Sequence, residues 1–343
     1  QISAATEERT HEGSQLAPLA EEPAPRLPRR APQGPCLCDQ QDAASVQSTS
    51  GLIRPHDVSE TGRPNRAAFS FFGLSAVESI RGDRAMLQFD EKTTAILERA
   101  YAGDDFRERR RASFAAVAAR PGERILDIGC GTGMLTLDLA LSVGPSGEVI
   151  GVDPSADMLS QARDRLTGFE NVRLDTGTAG QLPVTDAELD AAVSLQVFEY
   201  LDDPRAGAKE AARALRSGGR LVIGDMHFGT LSWFSEVPDR MARMCAAWDR
   251  HVVDSALPVR LPSVLRSVGL EVTAVTPLTF VDATLRPDGI ARMMLILMER
   301  YAVSNGHVSE SEARDWVEEQ EALARDGRFF FTLTHFVVTA RKP

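Results

Sequence analysis

One stretch constrains this chain more than any other: Arg124-Ile-Leu-Asp-Ile-Gly-Cys-Gly-Thr-Gly-Met-Leu-Thr-Leu-Asp-Leu-Ala140. Ile125 to Ile128 is a short apolar run of strand type, and a helical pattern through Leu135 and Leu139 begins directly after the glycines. The join, Asp127-Ile128-Gly129-Cys130-Gly131-Thr132-Gly133, lacks large side chains where a ligand would approach the backbone. Glycine permits the tight turn, and the following helix start offers unpaired N–H groups. The third glycine is Gly133, so the pattern is GxGxG; a dinucleotide fingerprint needs glycine or alanine where this chain has Met134. Asp127 sits inside the strand end, where it suits a cationic amino group and repels a pyrophosphate.

The segment 125–224 alternates strand and helix. Strands are predicted at 125–128, 148–152, 172–175, 190–195 and 220–224, with helices at about 133–142, 155–167 and 204–216. Ser155 caps the second helix; Pro204 opens the third, which Gly218-Gly219 closes. Such alternation implies parallel βαβ units in a doubly wound α/β sheet, with ligands outside the carboxyl ends of the strands. Asp153 ends the second strand, roughly 20 residues past the glycine turn, the spacing at which a carboxylate meets ribose hydroxyls. A helix-capping role before Ser155 is the alternative.

The glycine turn with its strand-end acid resembles motif I of the class I S-adenosylmethionine-dependent methyltransferases, which have a Rossmann-like sheet. The resemblance is most specific from Ile125 to Asp225. It implies S-adenosyl-L-methionine as cofactor, contacted by Asp127, Gly129, Gly131, Gly133 and Asp153, with Met158 covering one adenine face. Gly177-Thr178-Ala179-Gly180-Gln181-Leu182-Pro183 is similar to the family's Gly-Asp-Ala-x-x-Leu-Pro segment. Thr178 replaces the acid that bonds the adenine amino group; the Ala179 backbone contact is retained. Leu189 to Leu201 looks like motif IV, which puts Gln196 beside the methionine part of the cofactor. Phe198, Glu199 and Tyr200 then enter the next turn, facing the substrate or, alternatively, packing (the aromatics) and solvated (the acid).

Beyond Asp225 the family varies. Asp225-Met226-His227-Phe228-Gly229-Thr230-Leu231-Ser232-Trp233 resembles the Asp-x-Asp-Trp-x-x-Leu-x-Trp loop of a bacterial small-molecule methyltransferase subgroup, with His227 and Phe228 replacing its second acid and first Trp. A helical insert with Trp248, Asp249 and His251 follows, then a sixth strand near 270–276, helices at about 286–304 and 309–325, and a seventh strand from Phe329 to Ala340. With the last strand antiparallel, these complete the family's seven-stranded, mostly parallel sheet. The helix carrying Met293, Met294 and Met298 either roofs a hydrophobic acceptor pocket or belongs to the core.

Methyl transfer needs nucleophile, methyl and sulfur held in line and water excluded. A phenol, hydroxyl or ammonium acceptor also needs a base: His227 first, with Asp225 orienting it or the substrate, and His251 in reserve. Neither an Asn-Pro-Pro-Tyr tetrad nor an arsenic-type cysteine trio is present.

The organisation read is a disordered tail over 1–66, a helical arm over 67–120, a cofactor-binding core over 121–225, and cap insertions with the final strands over 226–343. The tail lacks apolar periodicity, and its acids, such as Glu7, Glu8 and Glu12, oppose a transit-peptide reading. Its opening on Gln1 rather than Met fits processing, trimming or fusion. Phe69, Phe71 and Phe72 open the arm, with helices at about 76–82, 90–102 and 104–119; the resemblance makes this arm a lid, and plain packing on the sheet is the alternative. A net charge of −11 argues against a nucleic-acid or polybasic membrane surface. No apolar run has the length of a membrane span. Cys36-x-Cys38 has no partner pair that would make a metal site, and four scattered cysteines suit a reducing, cytoplasmic setting.

The reading is a methyltransferase acting at O, N or C of a small, hydrophobic metabolite, with an oligomer left open. An NAD(P)-dependent oxidoreductase and a non-catalytic S-adenosylmethionine-binding protein are the alternatives.

Overall fold

The computed structural model describes Arg99 and residues 102–343. The expected tail, Phe69, Phe71 and Phe72, Cys36 and Cys38, the helix near 76–82 and nearly all of that at 90–102 lie outside the described residues.

The elements run α1 (Asp104–Val117), β1 (Arg124–Ile128), α2 (Met134–Val143), β2 (Glu148–Asp153), α3 (Ala156–Arg165), β3 (Val172–Thr176), β4 (Leu189–Leu195), α4 (Pro204–Ala214) and β5 (Leu215–Trp233). Then follow α5 (Pro238–Trp248), α6 (Leu257–Ser267), β6 (Glu271–Asp282), α7 (Ile290–Ser304), α8 (Glu310–Arg325) and β7 (Phe331–Arg341). Short 3-10 turns at Phe198–Tyr200 and Asp249–His251 follow β4 and α5. The seven strands form one sheet in the order β3-β2-β1-β4-β5-β7-β6. β1 to β5 pair in parallel, while β7 runs antiparallel to both neighbours. This is the class I methyltransferase fold, and the strand order reverses between β1 and β4.

The period-two alternation of the strands sorts the core. Ile125, Val149, Ala191, Val193, Val222 and Val337 pack with α1 and α2 on one face. Leu126, Ile150, Val152, Ala192, Leu221 and Ile223 pack with α4 and α6 on the other. A third cluster joins α5, α7 and α8 to the far ends of β5 and β7, and includes Met293, Met294 and Met298. The methionine stripe is therefore buried core of this cap.

Two local expectations are corrected. Gly218-Gly219 does not close a helix: α4 ends at Ala214, and the glycines lie within β5, with Gly218 at φ +78°. They absorb a register shift between Leu189 and Ala191 on the neighbouring strand, and the Gly218 N–H donates to the Lys342 carbonyl at 2.8 Å. β5 also continues well past 224, because β7 pairs with it as far as Trp233. The Ser155 cap forms as expected, its Oγ accepting the Met158 N–H.

Candidate active site

The glycine turn leaves β1 in a left-handed conformation at Gly129, Gly131 and Gly133, with φ of +71°, +53° and +78°. Gly129 is hemmed in: a Cβ there would lie 2.2 Å from Val197 Cγ2. At Gly131 a Cβ would meet nothing within 4 Å, so the backbone is bare on that side. Asp153 braces the turn from the end of β2. One of its oxygens accepts the Gly131 N–H and the other the Ser155 N–H, both at 2.9 Å. A carboxylate has about four acceptor positions, so two remain for a ligand. Burial raises its pKa, and the two backbone amides oppose that shift.

Asp127 is buried in the strand, where its Oδ2 accepts the Thr136 hydroxyl at 2.7 Å. Burial pushes its pKa up to about 7, the Thr136 bond opposes this, and Asp153 adds to it. Met158 and Ala179 are buried near the ends of β2 and β3. Thr178 is exposed, and its carbonyl accepts the Gln181 N–H at 3.0 Å in a tight turn.

The end of β4 carries the densest polar structure. Gln196 adopts φ +57°, a conformation unfavourable for a side chain with a Cβ, and its N–H donates to the Gly224 carbonyl at 2.7 Å. Its Oε1 accepts from Arg109 of α1, and its Nε2 donates to Glu199 Oε1 at 3.2 Å. Glu199 is fully buried, so neither the solvated nor the substrate-facing expectation describes it. Its Oε2 accepts the Met226 N–H at 3.0 Å. Burial raises its pKa to about 7, against the Met226 amide, the Gln196 amide and the charge of Arg109. Asp225 beside it accepts the Val197 N–H at 3.2 Å, and its Oδ2 has no hydrogen-bond partner among the described residues. Burial and then the charge of Glu199 hold that carboxyl well above the usual range. Phe198 is core beneath the sheet, and Tyr200 joins the cap cluster.

No hydrogen bond connects Asp225 to His227, so the expected orienting pair is not formed; Asp225 turns instead to the Val197 amide. The His227 ring is half-buried on β5 with its centroid 6.0 Å from Phe336, and burial lowers its pKa. It is therefore largely neutral at neutral pH. His251 lies stacked on Trp248 at 3.7 Å and edge-on to Phe228 at 5.0 Å. Its Nδ1 donates to the Trp248 carbonyl, and burial lowers its pKa to about 3. So weak a base is poorly matched to proton abstraction near neutrality, and burial is the reason.

The structure thus gathers the turn glycines, Asp127 and Asp153 on one side of the switch point, and Gln196, Asp225 and His227 on the other. Three participants escaped sequence reasoning: Arg109, Glu199 as a network member, and His335. His335 is buried on β7 with neither ring nitrogen hydrogen-bonded among the described residues, close against Gly224 and Ser113. Arg109 had a usable signal. It shares a helical face with Phe106, Ser113 and Val117, all buried. Within the run Glu108-Arg-Arg-Arg111 it reads as one more solvated charge.

Comparison with known proteins follows the same line. A family model described as a methyltransferase domain matches residues 119–268. An uncharacterised 37.1 kDa protein in transposon TN4556 of Streptomyces fradiae is 33% identical over 304 residues, covering 84% of each chain. A demethylmenaquinone methyltransferase of Desulfitobacterium hafniense is 35% identical over 130 residues, which are 37% of this chain and 51% of that one. Among solved structures, a putative methyltransferase of Bacillus halodurans C-125 superimposes with a TM-score of 0.50 at 20% identity, covering 68% of this chain and 98% of that one.

Proposed function

This chain belongs to the class I S-adenosylmethionine-dependent methyltransferases, and from that premise we propose that it methylates an O, N or C atom of a small, hydrophobic acceptor. The observation that carries the acceptor class is the cap. Tyr200, Met226, Phe228 and Trp248 pack together past the carboxyl ends of β4 and β5, so that side of the sheet offers an apolar rather than a charged environment. A relative named for demethylmenaquinone as its acceptor points to a small molecule too, and it matches 37% of this chain.

The residues present fit the cofactor. Gly131 leaves backbone uncovered, and Asp153 has acceptor capacity to spare. In this reading Gly129, Gly131 and Gly133 shape the cradle, and Asp153 takes the ribose hydroxyls. Met158, Ala179 and Thr178 surround the adenine, while Gln196 borders the methionine part. Asp127 braces the turn through Thr136. The bound cofactor supplies a methyl group on a sulfonium, which leaves as a neutral thioether. What remains for the chain is to orient the acceptor, exclude water and, for a hydroxyl or ammonium, hold a proton. His227, half-buried and kept neutral by that burial, is the base assigned to that proton.

The domain reading is part of the same proposal: 121–225 holds the cofactor and the helices of 226–343 enclose the acceptor, while most of the arm expected over 67–120 lies outside the described residues. No helix among the described residues is long and apolar enough to cross a membrane.

The test is methyl transfer from labelled cofactor to matched phenols, quinols and amines of rising apolar size, each beside a polar analogue. Rising turnover with apolar size supports the proposal, and transfer only to polar acceptors contradicts it. For a hydroxyl acceptor, His227→Ala lowers turnover by about 10²–10⁴-fold with cofactor affinity unchanged. An unchanged rate removes His227 as base.

A further inference from the structure

Glu199 is an unusual residue to bury completely, because an unpaired carboxylate in a core is costly. Its surroundings explain why an acid stands there. Two donors from different elements converge on it, the Gln196 amide at 3.2 Å and the Met226 N–H at 3.0 Å. Its own carbonyl accepts two more, from Val253 at 3.0 Å and Asp254 at 3.1 Å, in the segment directly after His251. One residue therefore holds the turn after β4, the course of β5 and the foot of the cap.

The connection continues to the glycine turn. Gln196 is kept in its left-handed conformation by bonds to Arg109, Glu199 and Gly224. The next residue, Val197, fills the space that a side chain at Gly129 would need. Contacts thus run from the glycine turn through Val197 and Gln196 to Glu199, and from Glu199 to Val253 and Asp254.

We propose that Glu199 is a positioning residue that couples the cofactor cradle to the cap, so that cofactor binding orders the acceptor side. The proposal rests on the cofactor reading above and goes beyond it in assigning a path and a residue. Coupling of this kind is carried by an element that both ends bias, and the turn 196–199 is the one that touches both.

Glu199→Gln tests it at constant volume. Only a carboxylate offers acceptors to both donors; the variant amide keeps one acceptor for Met226 and faces Gln196 with a donor. Gln196 cannot turn its own amide over without pointing that donor at Arg109. Val253→Pro cuts the other end by removing one N–H that Glu199 holds. Val252 already has the extended conformation that a following proline favours, at φ −102° and ψ 166°.

The experiment is hydrogen–deuterium exchange of the full chain with and without saturating S-adenosylhomocysteine, following peptides over 127–134 and 249–255. In the wild type both slow, the second by about tenfold. In Glu199→Gln and in Val253→Pro the first still slows and the second does not, while the KM for acceptor rises more than kcat falls. Protection of 249–255 in both variants equal to wild type overturns the proposal, as does a wild type in which only 127–134 responds. If Glu199→Gln does not fold, Val253→Pro decides alone on the same outcomes. If 127–134 is itself unresponsive in the wild type, the cofactor reading fails first and takes the coupling with it.

Discussion

Three residues near the glycine turn have distinct and separable physics. Gly129 and Gly131 share a left-handed φ, but only Gly129 is crowded. Gly129→Ala is expected to lower stability by about 1–3 kcal/mol through strain and the clash with Val197. Gly131→Ala costs about 1 kcal/mol, from the strained φ alone, yet weakens S-adenosylhomocysteine binding because it fills the open side of the cradle. Thermal unfolding and calorimetry on the two variants separate these effects, and equal stability losses contradict the distinction. Asp127 makes a prediction about pH. Its folded pKa is raised from 3.8 to about 7 by burial, so the native state holds the proton more tightly than the unfolded chain. Its contribution to stability is fully present below pH ~4 and is lost as pH rises through about 7. Glu199 and Asp225, both raised, act in the same direction. Asp127→Asn, which can still accept the Thr136 hydroxyl, is expected to raise apo stability at pH 8 by a few kcal/mol and to flatten the decline between pH 5 and 8. Denaturant melts across that range check the sign. A variant less stable at pH 8 than the wild type contradicts it.

Among the elements, α1 is the one whose attachment matters most to the site, since Arg109 reaches Gln196 from it. Its first turn is clasped by Asp105, which takes Arg286 in two bonds of 2.7 and 2.9 Å and caps α7 through the Ile290 N–H at 2.9 Å. Asp105→Ala strands a buried N–H and frees the guanidinium, so a loss of about 1–3 kcal/mol is expected. Exchange of α1 amides should quicken with it, and an unchanged rate would show that other packing holds the helix. Elements were the most legible level of the sequence. Apolar runs ending in a glycine or an acid marked β1 and β2, and Ser155 and Pro204 marked two helix starts. Where reading failed, tertiary structure had overridden a local rule. Gly218-Gly219 looks like a helix stop, but pairing with β4 and β7 draws it into a strand as a kink. α6 carries Pro262 within it, a residue that ends a helix by local rules, so the insert reads as undivided in the sequence. Buried charges such as Arg109 and Glu199 were unreadable for a related reason: the partners that make them tolerable lie 87 residues apart in one case and 27 in the other.

At the scale of the molecule, two clusters clamp the sheet and a third, built mostly from the last third of the chain, caps its carboxyl ends. The S-adenosylmethionine cofactor was legible in the sequence because the turn and the ribose-facing acid proposed for it are written into backbone glycines and strand ends. The acceptor side is written only in packing, which leaves no short motif; hence the proposed acceptor class rests on the cap alone. The cofactor half stands or falls on Asp153, which braces the glycine turn and keeps acceptor capacity in reserve. Calorimetric titration of S-adenosylhomocysteine and NADPH into wild type and Asp153→Ala addresses it most directly. The account predicts tight binding of S-adenosylhomocysteine by the wild type, loss of at least about 100-fold in the variant for two charge-assisted bonds, and no binding of NADPH. Binding of S-adenosylhomocysteine that is indifferent to Asp153, or a preference for NADPH, would contradict it.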